Sequence, residues 1–303
     1  MEVALVGIAI TITIHTIKCV QWLGRWDTKR RQKDEKIESL HGFVKDSIVT
    51  IGNVNPWVEG SIHPDDRETL GLFKNWIFAH FKENQKVEYI QGKIGSLTDS
   101  KSLNRNICSI GGPATNLFTR YGMGYDHKGE TWAPILPFTY PLKQAEELAK
   151  KEKITVVQER QGQRWEEPNW YIANRNGNPR YFPSINVENK TLRDDYFQII
   201  VAPNTFTKEA FFSGRKHMMI ASAHGVSSLA IETILEDAKI LESLYEVNKK
   251  TGYYQAIVKI PEIKYEESKK GYFPSGHPVL CEAVSLEPND FGNLKKYKEW
   301  VNP

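Results

Sequence analysis

Cysteine is scarce in this chain. Cys19, Cys108 and Cys281 are three among 303 residues, far apart and odd in number. That spacing forms neither a disulfide framework nor a metal set, and it favours a reducing compartment for the soluble part. Charge of one sign is lacking too: 40 basic residues against 37 acidic ones leave a formal +3. Much of the excess sits at 25–33, so no basic field for DNA or RNA covers the chain. The phosphate-binding signatures G-x-G-x-x-G and G-x-x-x-x-G-K-[ST] are absent, which removes the ordinary dinucleotide and P-loop readings. The G-x-S-x-G elbow is missing, and no acid is poised in sequence as a third partner for His224 and its neighbouring serines. Asp126-His127 finds no further ligand at workable spacing, so neither a metal nor a cofactor is expected. No repeat, low-complexity tract or long linker divides the body.

Long apolar runs are few, and the clearest one stands first. From Val3 to Ile17 there is no charge, and apolar character continues past Lys18 to Leu23. About 20 helical residues match a hydrocarbon core of roughly 30 Å. Trp22 and Trp26 lie where an aromatic belt belongs, and Arg25, Lys29, Arg30, Arg31 and Lys33 follow. A single membrane helix is therefore expected over 1–24, crossing through residues 3–23. The positive-inside rule puts its amino terminus outside and the rest in the cytoplasm, at an inner or plasma membrane. The stretch "AITITIHTI" also alternates with period two, as a buried strand would. Gly7, Thr11, His15 and Lys18 share one helical face, a stripe suited either to self-association or to snorkelling of Lys18. Residues 25–41 read as a basic juxtamembrane linker, and 42–303 as one cytosolic domain.

Within that domain, strand-like and helical segments alternate. "DSIVTIGN" reads as a strand closing on Gly52-Asn53. The stretch beginning "HPDDRETL" reads as an amphipathic helix, with Pro64, Asp65 and Asp66 in its first turn and Leu70, Phe73, Ile77 and Phe81 on its apolar face. Arg67 and Thr69 are expected on its surface, with a place facing the rim of the strand ends as the alternative. "KVEYIQGKI" and "NICSIGG" read as strands, "PATNLFTRYGM" as a short helix, and "PLKQAEELAKKEK" as a helix begun by Pro141. "ITVVQER" is strand-like. A polar insertion at about 160–193 carries a hairpin signal at Asn176-Gly177, with aromatics from Trp165 to Phe182 packing it on the body. "DYFQIIVAP" and "KHMMIASA" read as strands, followed by a long helix from about Leu229 to Lys249. "YYQAIVKIPEI" and "PVLCEAVSLE" read as paired antiparallel strands near an edge. The expected class is α/β, with a Rossmann-like, mainly parallel sheet and antiparallel edge strands.

Two strand-to-helix junctions are candidate ligand loops. One is Gly111-Gly112-Pro113 with Asn116, Thr119 and Arg120; the other is His224-Gly225 with Ser227 and Ser228. In open α/β sheets, ligands bind outside the carboxyl ends of strands, where amides and small hydroxyls approach an anion. Arg120 is expected to pair with phosphate, and Ser227 or Ser228 to cap the following helix. Gly52-Asn53 and Asn204-Thr205 join the same rim if their strands run parallel.

The strand-loop-helix turns "SIGGPATN" and "AHGVSSLA", behind an amino-terminal membrane helix and a basic linker, resemble membrane-anchored nucleotide-sensor effectors with CARF-type or SLOG-type domains. The resemblance implies a nucleotide second messenger as ligand, anti-phage signalling, and oligomerisation of the membrane helices as output. The 160–193 insertion departs from those compact domains. Two other classes stay open on the residues themselves: a nucleotide- or NAD-processing enzyme using the same rim with His224 or an acid as base, and a tethered protein-interaction module whose glycines only turn corners.

Overall fold

The structure, a computed structural model, describes residues 27–52, 62–82, 89–91, 100–126, 135–175 and 180–292, with the backbone alone at 89–91 and 100. No described helix is long and apolar enough to cross a membrane. The span expected at 3–23 and its polar stripe lie outside the described residues, as do Asn53, His127 and the Asn176-Gly177 turn.

Helix α1 covers 27–41. Its first turns are exposed, but Ile37, Leu40 and His41 are buried in the core. Lys33 pairs with Glu236 at 3.4 Å, and Lys36 pairs with Glu242. The segment expected as a linker thus ends as part of the packed body, because the apolar residues at 37 and 40 come onto one face only in a helix.

A seven-stranded mixed sheet follows, built from β1 (Ser47–Ile51), β2 (Tyr89–Gln91), β3 (Asn106–Ile110), β9 (Asp195–Pro203), β10 (Lys216–Ser222), β11 (Tyr254–Ile260) and β14 (Val279–Ser285). Its order is β14-β11-β9-β10-β3-β1-β2. The strands β2, β1, β3 and β10 are mutually parallel. The other three join by antiparallel pairing. Helix α2 (Pro64–Phe81) leads from β1 towards β2, and the short helix α3 (Ser100–Leu103) precedes β3, which returns to the other side of β1. That reversal is a topological switch point.

Alternation of side chains along the strands makes two cores. Val201, Met218, Ile220 and Val258 face one side with Phe73 and Ile77 of α2. Ile200, Met219, Ala221 and Ile257 face the other, with Phe138, Tyr140 and Leu142. Phe138 belongs to β4 (Phe138–Thr139), Leu142 opens α5 (Leu142–Glu152) and Tyr140 lies between them, all after α4 (Leu117–Gly122). Strand β5 (Thr155–Arg160) leads into the insertion and pairs as a hairpin with its first strand, β6 (Gln163–Pro168); the insertion also holds β7 (Ile172–Asn174), paired with β8 (Arg180–Tyr181). Tyr171 stacks on Phe182 at 3.9 Å within the insertion, and Tyr181 meets the body, its ring 5.4 Å from Tyr196 of β9 and 6.1 Å from Phe138.

Two expectations are corrected. The strand β9 runs antiparallel, so Asn204-Thr205 lies at the opposite sheet edge from the candidate rim. There Asn204 donates to the carbonyls of Leu103 and Arg105. The long helix expected from about Leu229 to Lys249 is broken into α8 (Ile231–Glu236) and α9 (Ala238–Thr251), and the short α7 (Gly225–Ser228) precedes them. The break falls at Asp237, whose carboxylate accepts from the Lys239 and Ile240 amides as the cap of α9. After α6 (Lys208–Phe212), the only described elements outside these layers are the hairpin β12 (Ile263–Glu266) and β13 (Gly271–Pro274) and short 3₁₀ turns.

Candidate functional site

Because β1, β3 and β10 are parallel, the loops that leave them emerge on one edge. A small cleft opens there, lined by Gly112 and Thr115 after β3, Ser222 and Gly225 after β10, His63 and Asp66 at the start of α2, and Glu167 of β6. Its volume is about 60 Å³. With roughly 10–15 Å³ needed for one water, that is room for about four to six water-sized groups. Tyr140, Leu142 and Trp170 form its apolar side. Larger, shallower grooves of about 490 and 460 Å³ lie away from the strand ends.

The expected site residues divide sharply. Gly112 and Gly225 line the cleft. Their amides are engaged by no acceptor among the described residues. Gly111 holds φ +108°, and its amide donates to Ile220. Asn116 instead serves the fold: its Oδ1 accepts from the Phe118 and Thr119 amides, and its Nδ2 donates to Ile110 O at 2.9 Å. Thr119 donates to Gly111 O and lies against Ser109, which bonds His217. Both residues are buried behind the sheet edge. Arg120 does not reach the cleft wall; its Nε donates to Pro113 O at 2.6 Å and braces the glycine turn from behind. Burial holds its guanidinium below the usual arginine range. Gly52 is packed rather than open, since a Cβ there would lie 2.9 Å from the Thr115 backbone.

His224 is fully buried and caps α7 without a side-chain bond. Its amide donates to Asp195 Oδ2 at 3.0 Å, and its Nδ1 lies 3.2 Å from Oδ1 of the same carboxylate. Ser227 donates to Asp195 as well, and Ser228 donates to Gly225 O. Neither serine caps the helix as expected, because both hydroxyls are committed elsewhere. Asp195 is the acid that sequence reasoning did not find for His224. It stands at the start of β9, brought to the rim by the antiparallel direction of that strand. The set is no nucleophilic relay, since Ser227 turns to Asp195 and not to His224. Thr69, expected on the surface, is buried 2.5 Å from the Ser228 hydroxyl, whereas Arg67 is exposed.

The polarity of the cleft is the main surprise. An anion site calls for facing cations, yet Asp66 and Glu167 face in. Burial pushes the Asp66 carboxyl up to about 6, helped by the neighbouring Asp65 and Glu167 and opposed by His63. Desolvation also raises Glu167, held back by His224, His63 and a hydrogen bond from Gln158. Burial alone would lower the His224 imidazole, but Asp195 more than reverses it and the group is raised. Asp65, just behind, is locked to Arg160 of β5, whose Nε donates at 2.6 Å. Both side chains are buried. Among the described residues no group of three His, Cys, Asp or Glu is arranged to hold a metal ion.

The missed residues had faint signals or none. Asp65 and Asp66 read as helix-dipole partners, and Glu167 carried no signal within the polar 160–193 stretch. Their shared site is made only by folding. No family model, curated protein or solved structure matches the chain.

Proposed function

We propose that the chain is a membrane-tethered ligand-binding protein whose cleft takes the sugar end of a nucleotide-like molecule. The observation that carries this reading is the meeting of two amide donors, Gly112 and Gly225, with two inward-facing carboxyls, Asp66 and Glu167, at the ends of three parallel strands. Carboxylates accept from vicinal hydroxyls and repel phosphate at the same place. The ribose therefore enters, and any phosphate stays towards the mouth. The Rossmann-like arrangement agrees, since the cleft lies beside the β1/β3 switch point, where such sheets bind ligands. The tether is the apolar stretch 3–23, and the output is a change in packing or oligomeric state of that segment. Such coupling requires different ligand affinity in the two states.

Isothermal titration of the full chain with nucleosides, linear nucleotides and cyclic nucleotides tests the reading. Heat is expected with ribose-bearing ligands, and its loss with 2′,3′-dideoxy analogues. No heat and no thermal shift with any of them overturns it.

A further inference from the structure

We propose that the cleft is also catalytic: Asp66 and Glu167 hydrolyse the N-glycosidic bond of a bound riboside. The inference rests on the binding reading above and goes beyond it.

The argument begins with what the cleft offers a reaction. Its serine neighbours do not supply a nucleophile, because Ser227 and Ser228 direct their hydroxyls to Asp195 and to Gly225 O. Cys108 is buried in the sheet, its thiol pushed up to about 12. The wall also carries Ser222, His63 and Thr115, the last donating to Gly112 O. It sets a pair of carboxyls on separate elements, Asp66 on α2 and Glu167 on β6, with Glu167 close enough to influence the protonation of Asp66. Two carboxyls flanking a sugar are the machinery of glycoside hydrolysis, one protonating the leaving group and the other activating water.

Their surroundings separate the roles. Glu167 accepts a hydrogen bond from Gln158 Nε2, and the buried His224–Asp195 pair lies behind it. Burial raises this carboxyl, and the Gln158 donor and the nearby imidazole oppose that rise, which suits a base more than a site with no such donor would. Asp66 accepts no such bond among the described residues, is 4 % exposed, and stands next to the Asp65 carboxylate. That environment keeps the proton on, which suits an acid. In the step, Glu167 removes a proton from water as the water oxygen bonds to the anomeric carbon. The carbon–nitrogen bond breaks with its electron pair leaving on nitrogen, and Asp66 donates its proton there. One water is consumed, and free base and ribose result. Trp170 and Tyr140 give a flat leaving group an apolar side to rest on.

The test incubates the full chain with adenosine, inosine, cytidine and guanosine and follows free base by chromatography, with titration of the same ligands in parallel. Base release is expected from at least one, with turnover of the bound riboside at saturating concentration falling about 10²-fold or more in Asp66→Asn and in Glu167→Gln. Thermal unfolding of both variants confirms that each folds. The ionisation of Glu167 and the protonation of Asp66 predict a bell-shaped rate against pH, with the acid limb lost in Glu167→Gln. Binding without release from any of the four overturns catalysis and leaves the binding reading standing. Neither binding nor release overturns both. Release unchanged in the two variants overturns the assignment to these carboxyls.

Discussion

Asp66 occupies a place where a carboxylate is poorly tolerated, and its effect on stability can be signed. Its folded pKa of about 6 lies above the 3.8 of an ordinary aspartate. The folded state therefore holds the proton more tightly than the unfolded chain does. The stabilisation is complete below the unfolded value and is lost as pH rises through the folded one, a change of about 3 kcal/mol. Urea unfolding from about pH 4 to pH 7 should show stability falling, with a shallower fall in Asp66→Asn. An unchanged slope in that variant would remove Asp66 as its source. The two rim glycines differ in a way that separates turning a corner from holding a ligand. A Cβ on Gly111 would meet Asp66 Oδ2 at 2.7 Å in a left-handed backbone, whereas one on Gly112 would find only Ser222 O, at 3.4 Å. Gly111→Ala should cost roughly 1–3 kcal/mol by urea unfolding. Gly112→Ala should stay within about 0.5 kcal/mol.

Elements were legible where periodicity and punctuation agree. Helix α2 shows Pro64 at its start and Leu70, Phe73 and Ile77 on its inner face, and β3 shows a short apolar run closed by two glycines. The break in the long helix was hidden because Ile231, Ile234 and Leu235 of α8 and Ile240, Leu241 and Leu244 of α9 all join one core, so the apolar spacing gave no warning. Only Asp237, a cap in hindsight, marked it. The direction of β9 had no local signal at all, since an apolar strand reads alike both ways. The site suffered most from this: its acids come from positions 65–66, 167 and 195, three elements joined only by tertiary structure. The burial of Ile37 and Leu40 was hidden for the opposite reason, because the charges of 25–41 masked them. Both are essentially unexposed. Leu40→Ala should therefore cost roughly 2–5 kcal/mol in urea unfolding of the full chain. A cost below about 0.5 kcal/mol would return the segment to the role of a linker.

At the scale of the molecule, the 160–193 insertion changes from an ornament to a wall. It is tied to the body by the buried Arg160–Asp65 pair, by Arg160 resting 3.9 Å over Phe273, and by the Gly162 amide donating to Lys270 O at 3.2 Å. On its far strand it carries Glu167 into the cleft, and Trp165 sets its ring 5.2 Å from His63 in edge contact. Removing one member of a buried ion pair leaves a charge without compensation, at about 3–5 kcal/mol. In Arg160→Met the orphaned Asp65 lies directly under Gly225, so the damage should reach two walls at once. Amide hydrogen exchange in β5 and β6 should quicken well before that in β3 and β10, and ligand affinity should fall with it. The double variant Asp65→Asn/Arg160→Met removes the stranded charge and should recover part of the stability. It should not recover the affinity, because Glu167 still sits on an untethered hairpin. Quickened exchange at the hairpin with full affinity retained would mean that the ligand site is complete on the sheet edge without its third wall.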